Sequence, residues 1–125
     1  MIRAVRTMFK CHVILFVGET LNAVKAYIKK GDYELNFPEE FYERVTWVRT
    51  RKCDGVTGFG TLGTCFIYVR SLKHIPSIFH EIEHATSHIL WRAGVPHNDS
   101  TDEVYAYLQE YIMDGFLDPA NTKKE

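Results

Sequence analysis

The chain has 125 residues, 46% of them hydrophobic and 25% charged, and its 15 basic and 16 acidic side chains leave a formal charge of -1. That length holds one domain with a core of its own, and the composition excludes a disordered chain, a collagen-like fibre and a long coiled coil. The near-neutral balance argues against a sequence-independent nucleic-acid binder, while leaving room for a local basic stripe.

The first ten residues carry Arg3, Arg6 and Lys10 and lead into Val13-Ile14-Leu15-Phe16-Val17. This faintly resembles a secretory signal, but the apolar run is too short and no small-residue cleavage site follows. Residues 12 to 18 are expected instead as a buried strand ending at Gly18. No stretch approaches the length of a membrane span. Thr20 is placed to cap a helix reaching about Lys30, with Leu21, Val24 and Ile28 as its apolar stripe and Gly31 as its stop. Residues 32 to 43 read as a connection with one helical turn after Pro38. Residues 44 to 52, RVTWVRTRK, read as a strand, the glycine-rich GVTGFGTLG as a turn, and residues 64 to 70 as a strand returning in a hairpin. The glycine-rich stretch leads into a strand and not a helix N-terminus, which argues against a phosphate loop. Cys53 and Cys65 flank it. The odd total of three cysteines, with no C-x-x-C pair, argues against a disulfide framework and favours small apolar residues in a reducing compartment.

A helix is expected from Pro76 to about Ala93, stopped by Gly94 and Pro96, and another from Ser100 to about Asp114. The expected fold class is α+β: a single domain over residues 1–117, a small antiparallel sheet with helices packed on one side, then a polar, flexible tail over 118–125.

The informative segment is His80-Glu81-Ile82-Glu83-His84, an H-E-x-x-H motif. On a helix, residues four apart share a face, so two imidazoles converge on one metal ion. The intervening Glu81 is then placed to take a proton from a zinc-activated water. Ile75, Ile78, Phe79, Ile82, Ala85, Thr86, Ile89 and Ala93 recur at helical spacing as the expected core face, which turns His80 and His84 outward. A solvated polar face, or a hydrogen-bonded pair beneath another helix, is the competing reading. Glu103, 19 residues after His84 at the start of the next helix, is the first choice for a third ligand. Ser100-Thr101-Asp102-Glu103 is also a capping box, and both readings put Glu103 in the first turn. His97 is the alternative ligand, with Asp99 and Asp102 behind it. His88 extends the histidine stripe but lies ~12 Å along the axis from His80, too far to share its ion. His74 and His12 read as structural.

H-E-x-x-H on one helix, followed by a glutamate on the next, resembles the zincin superfamily of zinc peptidases in its glutamate-ligand branch. The stretch from Ile75 to Phe116 also resembles small zincin-like proteins often encoded by bacteriophages and prophages. The resemblance covers about a third of the chain. It implies a minimal zincin-like domain with His80, His84 and Glu103 as Zn2+ ligands and Glu81 as general base. Residues 64 to 70 would form the cleft edge that pairs with an extended peptide. It also implies an oxyanion stabiliser, for which His97, Tyr105 and Tyr107 are candidates. The runner-up is the SprT-like group, where His97 would be the third ligand, although Asn98 stands where a glycine usually follows. The activity implied is zinc-dependent hydrolysis of a peptide bond in a protein or peptide substrate, in a bacterial cytoplasm if phage-encoded. The alternative is an accessory protein that keeps the scaffold, with or without its metal, to bind a host or phage partner. Iron or manganese would also suit such donors. Arg44, Arg49, Arg51 and Lys52 beside Trp47 and Phe59 raise a single-stranded nucleic-acid surface, but a charged, solvated strand edge accounts for them better.

Overall fold

The structure, a computed structural model, describes residues 1–123. Five strands form one sheet in the order β3-β4-β2-β1-β5. They are β1 (Ile2–Arg6), β2 (His12–Val17), β3 (Gly55–Phe59), β4 (Cys65–Val69) and β5 (Thr122–Lys123). Helices α1 (Leu21–Lys30) and α2 (Pro38–Arg49) cover one face, and α3 (Ile75–Arg92) and α4 (Asp102–Leu117) the other. The α+β class is therefore present, but the helices do not lie on one side only. The near-continuous apolar run of β2 follows from this: Val13 and Leu15 pack under α3 and α4, while Ile14 and Phe16 pack under α1 and α2.

The sheet is also not purely antiparallel. β1 pairs antiparallel with β2, and β3 with β4, but β2 and β4 run parallel from Val13↔Cys65 to Val17↔Val69. The two-helix excursion through α1 and α2 carries the chain across one face before it returns beside β2.

Two local expectations are corrected, and one strand lies where none was expected. Residues 44 to 52 do not form a strand; they belong largely to α2. Phe41, Val45 and Val48 recur at helical spacing and bury against the sheet, Pro38 opens the helix, and Glu39 and Glu40 sit in its first turn. Of the glycine-rich segment, Gly55–Phe59 form the edge strand β3, and only its last part, Thr61–Gly63, turns the chain. The glycines serve close approach: a Cβ on Gly58 would stand 2.5 Å from the Phe41 ring. The basic start contains β1, hidden in the sequence because Arg3 interrupts its apolar pattern. Arg3 is buried because its guanidinium donates to the Phe116 carbonyl near the C-terminal end of α4.

Thr20 caps α1 as expected, accepting from the Ala23 N–H at 3.1 Å. α4 runs on through Gly115, where a Cβ would meet Val5 Cγ2 at 2.4 Å. In the segment after α4, Pro119–Asn121 form a 3-10 turn and Thr122–Lys123 pair with Arg3 and Ile2; the tail expected over 118–125 lies outside the described residues at 124 and 125. No helix among the described residues is long and apolar enough to cross a membrane.

Candidate metal centre

The motif lies in the first half of α3. Ile78, Ile82, Ala85, Thr86 and Ile89 bury as expected, but Ile75, Phe79 and Ala93 are exposed. The reason is the placing of α3 over the sheet edge. Its buried face turns toward β3, so Ser77 and Glu81 are covered in their stead.

His80 and His84 both project outward and are exposed. Their Nε2 atoms stand 3.2 Å apart with the rings nearly perpendicular, at 86°. Two nitrogens each ~2.0–2.1 Å from one zinc ion at a tetrahedral angle stand ~3.3 Å apart. The donor set and its spacing therefore fit a divalent ion. Glu81 is buried between the pair and β3. One ligand atom each from His80, Glu81 and His84 lie within 4.8 Å of one another.

The edge strand fixes the carboxylate. The Thr57 hydroxyl donates to Glu81 Oε1 at 3.0 Å, with the Glu81 carbonyl also in reach at 3.2 Å. Gly55 leaves room for the side chain, since a Cβ there would stand 3.0 Å from Glu81 Cγ. Two adjoining hollows open here. One of about 300 Å³ lies between Arg44, Thr57 and the His80–Glu81–His84 group. The other, of about 400 Å³, is lined by Cys53, Asp54, His74 and Ser77 as well as His80 and Glu81. Burial, then the carboxylates of Glu81 and Asp54, raise the pKa of the Cys53 thiol. All three cysteines are free, and burial holds the Cys65 thiol far above its usual range.

The edge of the cleft is β3, not residues 64 to 70: β4 is interior, flanked by β3 and β2. Gly60 N–H bonds the Thr64 carbonyl, so by alternation the hydrogen-bonded pairs are Gly58↔Phe66 and Val56↔Tyr68. The N–H and C=O groups of Gly55, Thr57 and Phe59 then point away from the sheet. Phe59 C=O accepts from Asn36 N–H at 2.9 Å, in keeping with that parity. Among the described residues, the outward groups of Gly55 and Thr57 meet no hydrogen-bond partner, and they line the same hollow as the imidazoles.

The remaining candidates sit elsewhere. Glu103 is exposed in the first turn of α4 and is not part of the His80–Glu81–His84 group. The Tyr105 hydroxyl donates to the Val95 carbonyl at 3.1 Å, which sets the start of α4 against the end of α3. His84 lies ~12 Å back along that helix. His97 stacks on Tyr105, with ring centroids 3.9 Å apart, and its Nε2 is 3.6 Å from an Asp102 carboxylate oxygen. Tyr107 is exposed. The capping box does not form: α4 begins at Asp102, and the Thr101 hydroxyl turns back to the loop at Pro96 and Asn98. His88 stacks on Phe59 at 4.1 Å. His74 bonds Ser77 near the start of α3. Of the basic stripe, Arg44 pairs with Glu40 and Arg49 donates to the Glu19 carbonyl. Sequence reasoning missed Thr57 and Gly55, whose spacing of two places both on the α3 side of one strand.

Comparison with known protein families, curated proteins and solved structures finds no match to this chain.

Proposed function

We propose that this domain is a metal-dependent hydrolase acting on a peptide bond, with the motif on α3 as its centre. The observation that carries the reading is the convergence of the His80 and His84 Nε2 atoms beside a buried Glu81. His80 and His84 would hold the metal, with zinc the first choice for two imidazoles near a carboxylate. When bound, the ion supplies Lewis acidity, lowering the pKa of water and polarising a carbonyl. Glu81 receives the proton. Its Oε1 is occupied by the Thr57 hydroxyl, which leaves Oε2 as the basic atom, and the short tether to β3 keeps that atom from swinging away. The open groups of Gly55 and Thr57 hold an extended peptide by strand addition, laying its backbone past the imidazoles. The resemblance to zincins supports the same assignment.

The test is cleavage of an unfolded protein substrate by zinc-loaded wild type and Glu81→Gln. Cleavage by the wild type that falls at least a hundredfold in the variant, with equal metal content, supports the reading. Equal cleavage by both, or none by a fully loaded wild type, defeats it. The reading as a binding protein on the same scaffold keeps two observations in its favour: both imidazoles are exposed, and Glu103 stands outside the group. A partner retained equally by wild type and Glu81→Gln would favour it.

A further inference from the structure

A third hollow adjoins the cleft on the other side of the edge strand. It has a volume of about 310 Å³, lies between α2 and β3, and is walled by Leu35, Phe37, Phe41 and Val56. Arg44, Val56, Thr57 and Phe59 line both this groove and the hollow beside the imidazoles, so the two are continuous across β3. Phe37 is 73% exposed on its rim, a large aromatic side chain left in water. Gly58 lets the Phe41 ring lie against the strand and form part of the floor. The two charges on the groove, Arg44 and Glu40, pair with each other at 3.0 Å, so the wall presents no net charge to an occupant.

Side chains of a strand added to the open edge would alternate between the two faces. Those beside Gly55 and Thr57 lie on the α3 side, over Glu81 and the imidazoles. Their immediate neighbours lie on the α2 side, over the groove. We propose that the groove is the selectivity subsite of the cleft and receives a large apolar side chain, of the Phe or Leu class, from an extended peptide. That residue is adjacent to the one lying over the imidazole pair. The inference rests on the peptide-pairing part of the proposed function, but it does not require the metal. A wall without net charge matches an uncharged side chain, and the backbone of Gly55 and Thr57, unpaired among the described residues, matches an extended chain, not a helix.

The test uses metal-free full-length protein and five blocked seven-residue peptides of Gly, Ser and Thr, with one central Phe, Leu, Ala, Asp or Lys. Binding is followed through backbone amide NMR shifts. The Phe and Leu peptides are expected to bind about tenfold tighter than the Ala peptide. Asp and Lys should bind no better than Ala, and the shifts should centre on Gly55, Val56 and Thr57. Phe37→Ser, which alters an exposed side chain, should cut the Phe preference to about threefold and leave the Ala peptide unaffected. Equal binding of all five peptides, no binding of any, or a preference unchanged by Phe37→Ser would each overturn the proposal. So would self-association that occupies the edge. The same peptides are then scored for cleavage with zinc. Guest preference without cleavage leaves the groove assignment standing and counts against the hydrolase. Cleavage without preference does the reverse.

Discussion

The Thr57 hydroxyl on the edge strand donates to Glu81 Oε1 on α3 at 3.0 Å, tying the carboxylate of the motif to the strand that borders the cleft. The bond joins residues 24 positions apart and orients a buried acid that lies between two exposed histidines of the motif. It makes Thr57 a positioning residue, acting through Glu81.

Thr57→Val keeps the shape of the side chain and removes the donor. Loss of a hydrogen bond to a charged acceptor costs about 1.5 kcal/mol or more, so peptide cleavage is predicted to fall about tenfold, with metal content unchanged. Thermal unfolding should shift down as well. Cleavage equal to wild type would remove Thr57 from the account.

Gly115 tests the packing of the second helical layer. Alanine there gains about 1 kcal/mol in helix propensity, but its Cβ would stand 2.4 Å from Val5 Cγ2 on β1. Overpacking of this kind costs about 1–3 kcal/mol, so Gly115→Ala is predicted to be destabilising by roughly 1 kcal/mol in denaturant unfolding. Adding Val5→Ala should cost less than the sum of the two single changes. Simple additivity would show that the contact does not limit packing.

The legible parts of the sequence were those whose pattern has one cause. α1 carries its cap, stripe and stop within twelve residues, and α3 its proline start and long apolar face. α2 was hidden because Val45, Thr46, Trp47 and Val48 are β-branched or aromatic residues that favour strands, while the helical spacing begins earlier, at Phe41. β3 was hidden because glycines mark turns more often than strands; only the tertiary neighbours, Glu81 beside Gly55 and Phe41 beside Gly58, explain them. Within the site, His80, Glu81 and His84 form one local motif and were readable. Thr57 was not, because a threonine in a strand carries no sign of a carboxylate contributed by a distant helix.

His88 supplies a pH dependence. Its ring stacks on Phe59 of β3, its Nε2 is a buried atom with no hydrogen-bond partner among the described residues, and Arg92 lies one turn further along α3. Burial first, and the Arg92 charge second, lower its pKa below the ordinary 6.5. The folded state therefore favours the neutral ring. As pH falls below about 6.5 the unfolded chain takes up the proton first, so stability declines until the folded pKa is passed and is level below it. His12, lowered by burial and then by Arg6 and Lys123, acts in the same direction. Urea unfolding at pH 7.5 and 5.5 should show a smaller acid loss in His88→Phe than in wild type. Equal losses would contradict the assignment.

Glu103 separates the geometry from the resemblance. It stands at the end of α3 remote from His84 and outside the ligand-bearing group. Glu103→Ala is accordingly predicted to keep the wild-type metal content and affinity within about twofold, as expected of an exposed residue away from the site. A tenfold or greater loss of affinity would place Glu103 in the coordination shell and require α4 to approach His84.

The hydrolysis proposed for the cleft depends on His80 and His84 holding a metal ion. Elemental mass spectrometry of purified wild type and His84→Ala, each supplied with zinc at neutral pH and then freed of excess, tests it most directly. About one zinc per wild-type chain is expected, with a loss to background in His84→Ala and both proteins folded by circular dichroism. A wild type without zinc, or a variant that retains it, would rule out the site and leave the two histidines as a polar helix face.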